Sequence, residues 1–211
     1  LASSAASDVY KRQLLKAKAF PYLKIMLTST ADSQNRNSGR HVLLNWMLDL
    51  RNWRTDKMGE NISTRVAYGR ALAEFGADEN IYVFDADLKK CTMTLYFSEK
   101  YPERFYNIGI AEANMVDVAA GFATCGATAL VHTFAIFAAG RVYDQVRNNV
   151  CYPGLNVKVV GSHAGLTVGE DGATHQALED ISLMRTIPGM TVIVPCDANE
   201  TRLATKACLL Y

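Results

Sequence analysis

Glu112 stands in the run Gly109-Ile110-Ala111-Glu112-Ala113-Asn114-Met115, after a strand-like segment and in the first turn of an expected helix. The positive end of a helix dipole favours a carboxylate there, so helix-start electrostatics alone accounts for its position. The next small residues, Ala119, Ala120, Gly121, Ala123 and Gly126, read as a thin helix that lets another backbone or subunit approach. A glutamate at such a contact is partly desolvated, which makes it a tunable acid or base. Phe134 and Phe137 are three apart at a strand-to-helix junction. If the helix has begun they share a face on which a flat heteroaromatic ring can stack, and core packing is the competing reading. His163, Asp171 and His175 fall in one loop with Gly161, Gly165, Gly169 and Gly172, a glycine density suited to tight turns and close backbone approach. Two histidines flanking an aspartate there suit either a solvated loop or a ligand site.

These side chains need elements to position them. Apolar periodicity predicts a helix over 64–75, a strand over 81–84, an extended run over 105–108, and a helix over 111–125. A strand over 128–132, a helix over 137–150, a strand over 156–161, a helix over 176–186 and a strand over 190–194 come next. Asp197-Ala198-Asn199-Glu200 has the spacing of a capping box that opens a last helix. Helices alternating with short, continuously apolar strands imply an α/β fold with a parallel sheet and helices on both faces. In such sheets ligands bind beyond the carboxyl ends of the strands, where the loops above collect. Residues 1–57 show no such rhythm and are left unassigned, as a non-native or disordered segment; the domain is expected over 58–211, with Met58 as a plausible start.

Composition narrows the function. The 211 residues carry 22 basic and 21 acidic side chains, and no lysine- or arginine-rich run that would mark a nucleic-acid binder. The five cysteines are scattered and odd in number, with no C-x-x-C pair, which argues against disulfides and zinc and for a reducing, cytoplasmic compartment. No stretch approaches the roughly eighteen unbroken apolar residues of a membrane span.

The motifs taken together resemble the transketolase family. Gly109-Ile110-Ala111-Glu112-Ala113-Asn114-Met115 is similar to its G-I-A-E-x-N-M signature, Thr133-Phe134-Ala135-Ile136-Phe137 to its T-F-x-x-F, and Gly169-Glu170-Asp171-Gly172-Ala173-Thr174-His175-Gln176 to its G-E-D-G-x-T-H-Q. Ala86-Asp87-Leu88 resembles its A-D-L turn, and all of these occur in the family's order between Met58 and the C-terminus. The resemblance implies the pyrimidine-binding fold of thiamine-diphosphate enzymes. It assigns Glu112 to hydrogen-bond the cofactor's aminopyrimidine ring, where a carboxylate favours the imino tautomer that takes the C2 proton. It places Phe134, Phe137, Asp87 and Leu88 against the cofactor and His175 near its imino side. His163 and Arg65 are expected at the sugar phosphate, and Asp171 at a C2 hydroxyl, where an unpaired buried acceptor would penalise the wrong sugar configuration. Cys91, after Lys89-Lys90, stands where the family often has a serine, a departure at the phosphate corner. Arg141, Asp144 and Arg147 read as solvated or subunit-facing on a helix.

The family holds the diphosphate and Mg2+ with a G-D-G…N motif on another domain, and this sequence contains no G-D-G. The resemblance therefore implies one end of the cofactor here, no metal ligand, and a partner subunit carrying G-D-G in a homo- or hetero-oligomer. The sequence stops at Tyr211 inside a helix-like run, which reads as truncation of a longer subunit. The implied activity is transfer of a two-carbon ketol unit between sugar phosphates by the second subunit of a split transketolase. The same domain in deoxyxylulose-phosphate synthase or a 2-oxo-acid dehydrogenase β subunit is the enzymatic alternative, and a non-catalytic interaction subunit or orphan fragment is the other.

Overall fold

Alternation along each strand decides which side of the sheet a residue serves. In strand β2 (Ile81–Asp85), Ile81 and Val83 enter one apolar cluster while Phe84 enters the other. Strand β4 (Thr128–Phe134) does the same, with Leu130 on the first side and Ala129 and Val131 on the second. A sheet that is apolar on both sides must be covered on both, and helices do so. The computed structural model describes the backbone of Tyr22–Thr28 together with residues 62–210.

Helix α1 (Thr64–Phe75) covers the first side through Tyr68 and Leu72, joined by Phe97 of α3 (Leu95–Lys100) and by Ala204 and Cys208 of α7 (Ala198–Leu210). A short helix α2 (Lys89–Thr92) lies between β2 and α3. The second side is covered by Met115, Val116, Ala119 and Ala123 of α4 (Glu112–Thr124), by Ala138, Val142, Val146 and Val150 of the next helical segment, and by Met184 of α6 (Asp180–Arg185). That segment is expected as an ordinary α-helix over 137–150. Instead it winds in wide π turns at Phe137–Arg141 and Val146–Cys151 around a short α turn, α5 (Tyr143–Gln145).

Strands β3 (Phe105–Asn107), β2, β4 and β5 (Val157–Ala164) pair in that order, all parallel, with Val83 opposite Leu130 and Leu130 opposite Lys158. β1 (Tyr22–Thr28) lies antiparallel between β5 and β6 (Met190–Ile193). That strand is not anticipated from the sequence; the rest of 1–57 lies outside the described residues. After β2 the chain leaves towards the first side through α3, and after β4 it leaves towards the second. The carboxyl ends of β2 and β4 are therefore a topological switch point, where a crevice opens in sheets of this kind.

One further boundary differs from expectation, and one cap forms only in half. The helix predicted over 176–186 begins only at Asp180, because Ala177 O accepts from Gly165 N at 2.8 Å and holds the preceding chain in an isolated bridge. At the start of α7, Asp197 Oδ1 accepts from Glu200 N at 2.8 Å as a capping box requires, but Glu200 Oε2 reaches past Asp197 to Cys196 N at 2.6 Å.

Candidate active site

Asp85 ends β2 fully buried, and its carboxylate organises the turn beyond it. Oδ1 accepts from Leu88 N at 2.5 Å, and Oδ2 accepts from Thr92 Oγ1 at 2.7 Å and Thr94 Oγ1 at 2.9 Å. Within this turn Asp87 takes a left-handed φ of 64°, uncommon outside glycine, and its Oδ1 accepts from Asn107 Nδ2 at 2.8 Å. Asn107 Oδ1 in turn accepts from Gly109 N at 3.0 Å. Asn107 thus fastens the Asp87–Leu88 turn to the run that delivers Glu112. Neither Asn107 nor the inward role of Asp85 is evident from sequence, since both depend on pairing between β2 and β3.

Glu112 opens α4 and is only 3 % exposed. Its Oε1 accepts from Arg141 Nη1 at 2.8 Å, and the same guanidinium lies 4.1 Å from the centroid of the Phe137 ring. Arg141 is therefore a neighbour of the site as well as a solvated side chain, 47 % exposed, and its pairing with Glu112 is what the sequence reading lacks. Ala119, Ala120 and Ala123 turn towards the chain's own core, and Gly121 alone of the α4 small residues faces out, so the helix is thin mainly to pack on its own sheet.

Phe134 closes β4, buried, and Phe137 opens the π turn, half-buried; their rings lie nearly parallel, at 14°, with centroids 6.3 Å apart. His175 meets the Phe137 ring edge-on at 5.2 Å, and His163 lies 4.4 Å from Phe134. The four rings, drawn from β4, the π turn after it, β5 and the loop after β5, make one cluster. Tyr68 and His132 form a buried pair on the first side of the same strands. His132 Nδ1 donates to Phe84 O at 2.9 Å, leaving Nε2 to accept from Tyr68 Oη at 2.5 Å.

His163 is a buried non-glycine residue with φ of 58°, and such strain persists only where the surroundings over-determine it. Its Nδ1 pairs with Ser162 Oγ at 2.8 Å. Burial first and the Arg65 charge second push its imidazole down to about 4, with Asp171 acting in the opposite sense. Arg65 and Asp171 thus share an electrostatic neighbourhood with His163, although Asp171 is exposed and Arg65 Nη1 donates to Cys91 O at 3.2 Å. Arg65 Nε is buried with no hydrogen-bond partner among the described residues. Asp87 is exposed and Leu88 half-buried at the far side of the Asn107 bridge.

The His163 shift carries a pH dependence. Between about 6.5 and about 4 the unfolded chain binds more protons than the folded one. The stability contributed by neutral His163 is complete above about pH 6.5 and is lost as pH falls towards 4. Across that window the thermal midpoint of wild type is expected to fall by on the order of 5 °C more than that of His163→Asn, whose side chain tolerates the left-handed backbone. Equal slopes in a calorimetric pH series would refute this.

The sequence profile of the family described as transketolase, pyrimidine binding domain, matches residues 60–211. A protein of Methanocaldococcus jannaschii described as a putative transketolase C-terminal section is 52 % identical over 148 residues, which cover 70 % of this chain and 47 % of that protein. The 6-deoxy-6-sulfo-D-fructose transketolase subunit SqwH of Clostridium sp. (strain MSTE9) is 46 % identical over 148 residues, covering 70 % and 46 %. A solved structure described as a split gene transketolase, inactive beta4 tetramer, superposes with a TM-score of 0.58 at 44 % identity, over 72 % of this chain and 49 % of that one. Transketolase from Leishmania mexicana shares the fold, with a TM-score of 0.61 at 21 % identity over 98 % of this chain and 30 % of that one. The chain spans about half the length of the two curated relatives. Among the described residues no helix is long and apolar enough to cross a membrane. With its parallel sheet, its loop cluster and these matches, the chain belongs to the transketolase pyrimidine-binding domain family.

Proposed function

We propose that this chain supplies the aminopyrimidine half of a thiamine-diphosphate site in a two-chain transketolase that moves a two-carbon ketol unit from a ketose phosphate to an aldose phosphate. The observation that carries the reading is the seat made by Glu112 and Phe137. An aminopyrimidine needs a buried carboxylate for its ring nitrogen and an aromatic face for its plane. The Arg141 guanidinium, itself a flat N–C–N donor edge, lies on both at once, so the residues present fit such a group. Thiamine diphosphate, when bound, supplies the nucleophilic carbon that accepts and releases the two-carbon unit.

The chain's own residues do the rest. Glu112 holds a proton at the ring nitrogen in a water-poor place, where a charge-assisted hydrogen bond is strong. Phe137, with Phe134 behind it, fixes the ring plane, and the Asp87–Leu88 turn, tied to the Glu112 run by Asn107, borders the same end of the cofactor. His175, edge-on to Phe137, stands beside the ring to exchange a proton at its amino side. His163, kept neutral by its surroundings, and Arg65 face the sugar phosphate, and Asp171 accepts from a substrate hydroxyl.

The diphosphate and magnesium fall to a partner subunit bearing G-D-G. Ile110, Leu166 and Leu178 stand exposed in the loops around the seat, apolar surface that a partner would cover. A cytoplasmic setting accords with five free cysteines. The solved relative described as an inactive tetramer of one chain type favours a second reading of the isolated state, a homo-oligomer without activity of its own. Both readings give one expectation. The purified chain should show no ketol transfer above background, and addition of a G-D-G-bearing transketolase subunit with Mg2+ and thiamine diphosphate should raise it by orders of magnitude. Turnover by the chain alone, or none after stable assembly with the partner, would refute the proposal.

A further inference from the structure

We propose that Arg141 and the aminopyrimidine compete for one seat, so that Arg141 sets how readily this chain takes up its ligand; this rests on the reading of Glu112 above. Three observations converge. Glu112 is 3 % exposed and its one ion-pair partner among the described residues is Arg141, at 2.8 Å. The same guanidinium covers the Phe137 ring at 4.1 Å, so a flat ligand that stacks on this face and bonds to this carboxylate meets Arg141 at both contacts. Arg141 differs from Glu112 in its freedom. Its side chain is 47 % exposed, so the guanidinium has water to move into. Glu112, held in the first turn of α4, cannot follow it.

The energetics give the competition a sign. A buried carboxylate deprived of its cation is costly, so without Arg141 the chain is less stable by itself and gains more from any planar cation-like ligand that replaces it. A residue with a merely structural role would lower stability and ligand affinity together. Arg141 is expected to move them in opposite directions, because a ligand binding only the arrangement with Arg141 displaced bears the cost of displacing it.

The test uses the full chain and the bare fragment 4-amino-2-methylpyrimidine, titrated by NMR chemical shifts, with thermal midpoints measured in parallel. Arg141→Met keeps the chain length and apolar stem while removing the donor edge. It should lower the midpoint by several degrees and bind the fragment about tenfold more tightly than wild type. The gain should vanish in the double variant E112Q/R141M. Fragment binding to R141M that is undetectable, or no tighter than to wild type, overturns the proposal, as does a gain that survives the loss of Glu112. Should R141M fail to fold, Arg141→Lys carries the same comparison, since it keeps the charge but loses the flat edge and the stacking; a gain of about threefold is then expected, and none overturns the proposal. Failure of the functional reading shows elsewhere: thiamine-diphosphate uptake by the chain with its G-D-G partner would then be indifferent to E112Q, in a measurement that leaves Arg141 unchanged.

Discussion

Glu112→Gln, in the chain assembled with a G-D-G-bearing partner and loaded with thiamine diphosphate, is expected to slow hydrogen–deuterium exchange at the cofactor's C2 by about a hundredfold or more. The substitution is nearly isosteric, and the amide oxygen can still accept from Arg141 Nη1, so the start of α4 and its packing should survive. The change removes the carboxylate that holds a proton at the ring nitrogen. Exchange at C2 is the proper readout because overall turnover is often limited by another step, including product release. Circular dichroism and a measured cofactor load establish that the variant is folded and occupied. Unchanged exchange under those conditions would return Glu112 to the role of a helix-start acid paired with an arginine.

The largest loss of stability is expected at Asp85. Replacing it by alanine strips the half-buried Leu88 amide and the buried Thr92 and Thr94 hydroxyls of their acceptor. Hydrogen bonds to a charged group contribute about 1.5–3 kcal/mol each, and the two hydroxyls, 3.1 Å apart, can partly satisfy one another. The net cost is therefore about 3 kcal/mol, read as a lower midpoint in urea at unchanged m. Asp85→Asn keeps one oxygen but turns a donor towards donors, and should fall between. A loss below about 1 kcal/mol for the alanine would show that water or rearrangement replaces the carboxylate. Because the same turn carries Asp87, whose carboxylate meets Asn107, the damage should extend to the loop leading to Glu112.

The parallel strands were the most legible part of this chain. In β2 and β4 short, mainly apolar runs bounded by polar residues leave few alternatives, and the parallel sheet follows from the helices between them. The residues of the four-ring cluster were also readable, since each lies at the carboxyl end of a strand or in the loop beyond it. The features that sequence withheld depend on contacts between distant elements. Arg141 lies far along the chain from Glu112, and neither its type nor its helical position tells which carboxylate it meets. The late start of α6 is another case, because the Gly165–Ala177 bridge competes with helix formation and wins. Strand β1 stands in a segment whose composition gives no period, and its place is set by the edges of β5 and β6.

The wide winding at Phe137–Arg141 has a consequence for how such chains vary in length. A π turn closes from i to i+5 and so holds one residue more than the α turn that could span the same gap. That surplus residue is slack in the chain. A descendant that lost one position here, the exposed Gly140 for instance, could rewind to i-to-i+4 bonds with β4 and β5 left in place. It would also keep Arg141 beside Glu112, because the residue lost is the one the wide turn takes up, whereas the same loss from a regular α turn would rotate the remainder of the segment by about 100° around the helix axis. A single-codon deletion at this turn is thus nearly silent both for the architecture and for the group that faces the carboxylate.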